Sequence, residues 1–161
     1  MKGLLEARGK RLRSLVVFGS SAYDPSRARD LDVLVVVDRL ESAREKAELE
    51  VEVARLLRGR TRKLADVLVL DEEALEENMG PGGAASGLLA GYLALYDELG
   101  LEELVARAAE KIASEGYILQ KGGRGIDFGA LARARRLTSL KPSQRLGADS
   151  GGRSSRNAHA A

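Results

Sequence analysis

Val16-Val17-Phe18-Gly19-Ser20-Ser21, followed by Asp30-Leu31-Asp32-Val33-Leu34-Val35-Val36-Val37, is the stretch whose reading decides the fold. A hydrophobic strand ends in Gly-Ser, and a second strand opens with two carboxylates one residue apart. Side chains along a strand alternate faces, so Asp30 and Asp32 share one side while Leu31 and Val33 take the other. Carboxylates held roughly 6–7 Å apart by that geometry can ligate a divalent cation. Hard oxygen donors suit Mg²⁺, which is usually bound by one or two carboxylates plus phosphate oxygens. The Gly-Ser turn offers small residues and backbone N–H groups for the close approach of a triphosphate. Phosphate chemistry is the first expectation.

The chain has 161 residues, enough for one domain with a real core. It has no cysteine, which removes disulfides and thiolate metal sites. Its one histidine, His159, lies in the final residues and reads as a solvated tail residue, so histidine base catalysis is not expected. No secretory pattern opens the chain and no apolar run approaches membrane-spanning length, so a cytoplasmic protein with no membrane partner is expected. The net charge of +2 hides an asymmetry. From Lys121 onward there are nine basic and two acidic residues, against seventeen basic and twenty-two acidic before it.

Working outward, residues 2–13 read as a short helix, Leu15 to Phe18 as a buried strand, and Ala22 to Arg29 as a polar loop. The short connection from Phe18 to Asp30 favours antiparallel neighbours. Ser42 with Glu45 is a capping box opening a helix to about Arg58, and Gly59 reads as its C′ residue. Lys63 to Leu70 is a third strand, and Asp71 caps a short acidic helix running to about Asn78. Gly80 to Gly87 reads as a flexible connector, with a mobile lid as the alternative. Leu88, Leu89, Tyr92, Leu95 and Leu99 have helical spacing and predict a helix over 87–99; a second follows over 101–115. Tyr117 to Gln120 reads as a fourth strand, Asp127 to Arg136 as a basic helix, and 141–161 as disordered.

Gly19-Ser20, nine intervening residues, then Asp30-Leu31-Asp32 inside hydrophobic strands resembles the signature of the polymerase-β-type nucleotidyltransferases, and specifically the minimal nucleotidyltransferases, or MNT proteins. Asp66 in Leu64-Ala65-Asp66-Val67-Leu68-Val69 matches the family's third carboxylate, and Lys111 to Leu119 resembles its closing helix, Glu-Gly turn and short strand. The resemblance covers roughly residues 10–77 and 108–120. It implies an α/β (α+β) fold, a small mixed sheet with helices packed on it. The nucleotidyltransferase domain would span 1–120 with 78–107 a helical insertion; 121–140 would carry a basic helix and 141–161 a tail. It further implies metal-dependent transfer of a nucleoside monophosphate, AMP from ATP, to an acceptor hydroxyl. Asp30, Asp32 and Asp66 would be catalytic and hold two Mg²⁺ ions, with Asp66 helping to deprotonate the hydroxyl. Gly19, Ser20, Ser21 and Arg29 would face the nucleotide. Many minimal members carry a basic residue where this chain has Ser21, and a serine where it has Arg29. Arg27 and Arg29 can contact phosphate; Arg29 can alternatively pair with Asp30 or Asp32.

Such proteins are often encoded with a helical partner of the HEPN type as toxin–antitoxin pairs, which implies a protein partner. Two other readings stand beside this one. The first is a catalytically silent module that binds a partner protein. The second is an RNA-modifying or RNA-binding protein using the basic tail, although Phe128 is the only aromatic side chain among the residues beyond Lys121 available to stack on bases. The bland alternative is a Gly-Ser turn between strands with Asp66 paired to Lys63 or an arginine.

Overall fold

β2 (Asp30–Val37) is the strand around which the other elements are arranged. In the computed structural model, which describes residues 1–80, 83–115, 118–121, 124–127, 129–130 and 133–134, β2 pairs antiparallel with β1 (Leu12–Phe18) and parallel with β3 (Leu64–Asp71). β4 (Tyr92–Asp97) adds antiparallel to the outer edge of β1, giving the order β3-β2-β1-β4. The result is a mixed α+β fold, as expected. The parallel pair is joined by α3 (Ala43–Arg58), long enough to make the crossover that parallel strands require.

The alternation of β2 feeds two cores. Val33, Val35 and Val37 pack with Leu12, Leu49, Val53 and Val69 and with Leu5 of α1 (Lys2–Ala7). Leu34 and Val36 pack on the opposite face with Val16 and Leu70. That face is covered by Leu75 of α4 (Glu72–Asn78), by Leu88 and Leu89 of a 3-10 segment, and by Leu101, Val105, Ala109 and Ile112 of α5 (Leu101–Glu115). Each fully buried Leu, Ile or Val contributes about 1.5–3 kcal/mol.

Local chemistry sets the boundaries. Ser42 Oγ accepts from the Glu45 N–H at 3.2 Å, and Glu45 Oε2 accepts from the Glu41 N–H at 2.7 Å, so the capping pair forms with its return bond one residue early. Asp71 Oδ1 accepts from Ala74 N–H at 2.9 Å while Oδ2 accepts from Leu40 N–H at 3.1 Å, capping α4 and pinning the loop after β2. Lys10 is buried in the loop before β1, its Nζ 2.8 Å from Glu45 Oε1. Among the described residues no helix is long and apolar enough to cross a membrane.

Several expectations need correction. The first helix stops at Ala7, because Gly9 turns the chain with φ +66° and Leu12, Ser14 and Val16 then alternate inward as strand. The turn after Phe18 is a left-handed Gly19 followed by a single helical turn, α2 (Ser20–Tyr23). Gly59 ends α3 with right-handed φ, ψ of −82° and −5°, so no left-handed cap is used. The helix expected over 87–99 is a 3-10 turn, Ala84–Leu89, and then β4. Gly91, at φ +153°, separates the two, and the free edge of β1 draws Tyr92–Asp97 into the sheet. The stretch 78–107 is therefore not a helical insertion; it supplies a sheet strand. β5 (Ile118–Lys121) is near the expected place but pairs with β6 (Arg124–Asp127) in a separate two-stranded sheet, while the described residues of the expected basic helix, 129–130 and 133–134, are helical, with the Ala130 N–H donating to Asp127 Oδ1 at 2.8 Å. The rest of that segment falls mostly outside the described residues, as does the 141–161 tail.

Candidate functional site

Gly19 is where β1 leaves the sheet, with φ +62° and ψ −149°, a conformation that favours glycine. Its neighbour explains a second requirement. A Cβ placed on Gly19 would lie 2.8 Å from Asp32 Oδ2, so only a glycine lets the turn lie this close to the carboxylate. Ser20 begins α2. Ser21 is buried, and its hydroxyl donates to the Phe18 carbonyl at 2.7 Å and accepts from the Asp32 N–H at 3.1 Å.

The register of β2 and β3 settles the carboxylates' placement. Asp32 pairs with Asp66, side by side in a parallel ladder, where strands run roughly 4.7–4.9 Å apart and registered side chains share a face. Asp30, two residues earlier, shares that face and pairs with Leu64. Further along the strand this is the face of Leu34 and Val36, so the carboxylates occupy the extension of a helix-covered core. Asp30 and Asp66 are exposed and Asp32 is partly buried. Gly19, Ser20, Asp30, Asp32 and Asp66 thus gather at one end of the sheet.

The arginines are placed differently from the acids. Arg29 is exposed, and among the described residues neither Asp30 nor Asp32 forms an ion pair with it within 4 Å. Arg27 Nε lies 3.8 Å from Asp24 Oδ2. Lys63, a conceivable partner for Asp66, instead donates its Nζ to the Pro25 carbonyl at 2.5 Å and ties the loop before β2 to the start of β3. Four carboxylates of the scaffold are held below their usual pKa range. Asp38 is lowered chiefly by the Arg11 backbone N–H. Glu45 is lowered by the Glu41 N–H and then by Lys10, Glu52 by Arg8, and Glu98 by the Tyr96 hydroxyl and then Arg11.

Sequence reasoning missed Lys63 as an anchor and the position of the glycine-rich segment. A Cβ on Gly87 would touch the Phe18 ring at 3.3 Å, and one on Gly91 would meet Tyr23 Cβ at 3.5 Å, so this segment packs against the turn at the site. Glycines flanking Leu88 and Leu89 were the available signal. Among the described residues, no group of three or more Asp, Glu, His or Cys side chains is arranged to hold a metal ion. The donor set still fits Mg²⁺, which takes few carboxylates and fills its remaining positions with phosphate oxygens and water.

No family model and no curated protein matches the chain. Several solved structures are similar to it. A toxin–antitoxin crystal structure with AMP-PNP is 13% identical, covering 88% of this chain and 94% of that chain, with a TM-score of 0.49. A mutant of the toxin–antitoxin MntA-HpeT is 12% identical over 88% and 94%, with a TM-score of 0.46. A tri-AMPylated Shewanella oneidensis HEPN toxin in complex with MNT antitoxin is 13% identical over 89% and 99%, with a TM-score of 0.42. Likenesses this distant carry no argument about chemistry, which has to stand on the residues themselves.

Proposed function

We propose that the chain is a nucleotidyltransferase that takes AMP from ATP and places it on a hydroxyl of a helical partner protein of the HEPN type, as the antitoxin of a two-component pair. The observation that carries this reading is the Asp32–Asp66 register beside Gly19, with Asp30 on the same face. Backbone N–H groups at the Gly19-Ser20 turn would receive the β and γ phosphates, and the exposed Arg29 guanidinium is free of an Asp30 or Asp32 partner to meet phosphate oxygens. Asp30 and Asp32 would hold Mg²⁺, which supplies neutralisation of phosphate charge when bound. Asp66 would accept the proton of the attacking hydroxyl. The oxygen–phosphorus bond forms at the α-phosphorus, the bond to the β-phosphate oxygen breaks, and pyrophosphate leaves with its electron pair.

A second reading has one observation in its favour. Ser21 stands where many minimal members carry a basic residue, and its hydroxyl is turned inward onto the Phe18 carbonyl, so the same surface can serve a partner-binding module without chemistry. Calorimetric binding of a non-hydrolysable ATP analogue with Mg²⁺ separates the two. The enzyme reading expects magnesium-dependent binding that Asp32→Asn abolishes. Absence of binding by the native chain sinks it and leaves the module.

A further inference from the structure

By position Ser21 is a candidate nucleotide contact, yet its hydroxyl is committed inside the fold. A serine hydroxyl has one proton to donate. Here Phe18 O takes it at 2.7 Å, Asp32 Oδ2 is a further acceptor at 3.4 Å, and the oxygen itself accepts from Asp32 N–H at 3.1 Å. Phe18 and Asp32 face each other at the last rung of the β1–β2 ladder. The chain Asp32 N–H to Ser21 Oγ–H to Phe18 O therefore closes the sheet where the two strands part to form the site.

We infer that Ser21 is a positioning residue that fixes the Asp32 carboxylate against the Gly19-Ser20 turn and does not itself touch the nucleotide. The tolerance it guards is small. The Gly19 backbone is so close to Asp32 Oδ2 that even one added carbon would meet it at 2.8 Å. Turn and carboxylate thus move as one piece, phosphate side and ion side together. This inference rests on the nucleotide-binding reading of the site.

The test uses the full chain with Ser21→Ala, Ser21→Cys and Ser21→Thr. Two quantities are read: exchange of the Asp32 amide hydrogen by NMR, relative to Leu34, and magnesium-dependent binding of the ATP analogue. Removing the hydroxyl deletes both the Ser21–Phe18 and the Asp32–Ser21 hydrogen bonds. Ser21→Ala is expected to speed Asp32 amide exchange about tenfold and to weaken binding about tenfold, with Ser21→Thr restoring both. Ser21→Cys keeps the size with a weak donor and should follow Ser21→Ala, which covers the case of an alanine variant that does not fold. Unchanged exchange overturns the relay. Faster exchange with native binding overturns positioning while the nucleotide site stands. No binding by the native chain removes the nucleotide reading and this inference with it.

Discussion

The two ends of β2 invite comparison, since one strand does two jobs. Val33 to Val37 are buried under helices on both faces, whereas Asp30 and Asp32 continue the same alternation beyond that cover. On one face the order is Asp30, Asp32, Leu34, Val36, so a carboxylate stands where a core leucine would stand two residues on. The buried end supplies packing energy and a rigid register. The open end uses that register to hold charge against Asp66 and Gly19. Acids gathered on an extension of a hydrophobic face add little to stability, so the lesson is that the site is carried by the core without being part of it.

Perturbing each end separately tests that division. Leu34→Ala in the buried end should cost about 2–5 kcal/mol of unfolding free energy, measured by urea denaturation. Any nucleotide binding retained by the folded fraction should keep its affinity. Asp32→Asn at the open end should do the reverse, abolishing magnesium-dependent analogue binding in calorimetry. Its urea midpoint should stay close to native; a loss of stability matching that of Leu34→Ala would mean the ends are not separate. Gly19→Ala touches both, because the added carbon meets Asp32 Oδ2 and the backbone is left-handed. It should cost about 1–2 kcal/mol in stability and weaken binding as well.

Acid titration gives the smallest effect and probes the scaffold away from the site. Asp38, Glu45, Glu52 and Glu98 have folded pKa values below their ordinary 3.8 or 4.5. Their contribution is therefore present above those ordinary values and lost as pH falls through the lowered ones. The urea midpoint should change little through these groups from pH 7 to 5, then fall below about pH 4.5. Because most of these pairs are surface pairs, raising the salt should shrink the drop.

Legibility followed how local the physics was. β2, α3 and α4 could be read because an unbroken apolar, β-branched run, Ser42 with Glu45, and Asp71 are all decided within a few residues. β4 could not. Leu88, Leu89, Tyr92, Leu95 and Leu99 repeat at helical spacing, but Leu95 is 58% exposed and its segment belongs to β1, about eighty residues earlier in the chain. The candidate site divides the same way. Asp30 and Asp32 declare a shared face by themselves, whereas the adjacency of Asp66 is a matter of parallel register. Ser21 carried no warning, since a serine in a turn looks the same whether it meets solvent or bridges two strands.

The pairing of β1 with β4 also sets an order of events during synthesis. Leu12–Phe18 leaves the ribosome with β2 following closely, but the strand that covers its other edge, Tyr92–Asp97, comes some eighty residues later. At ~5–20 residues per second that is roughly 4–16 s. For that interval the nascent chain presents Val16, Val17 and Phe18 along an open strand edge, a template for unwanted pairing. Molecular chaperones would find a target there, at the very strand that ends in Gly19.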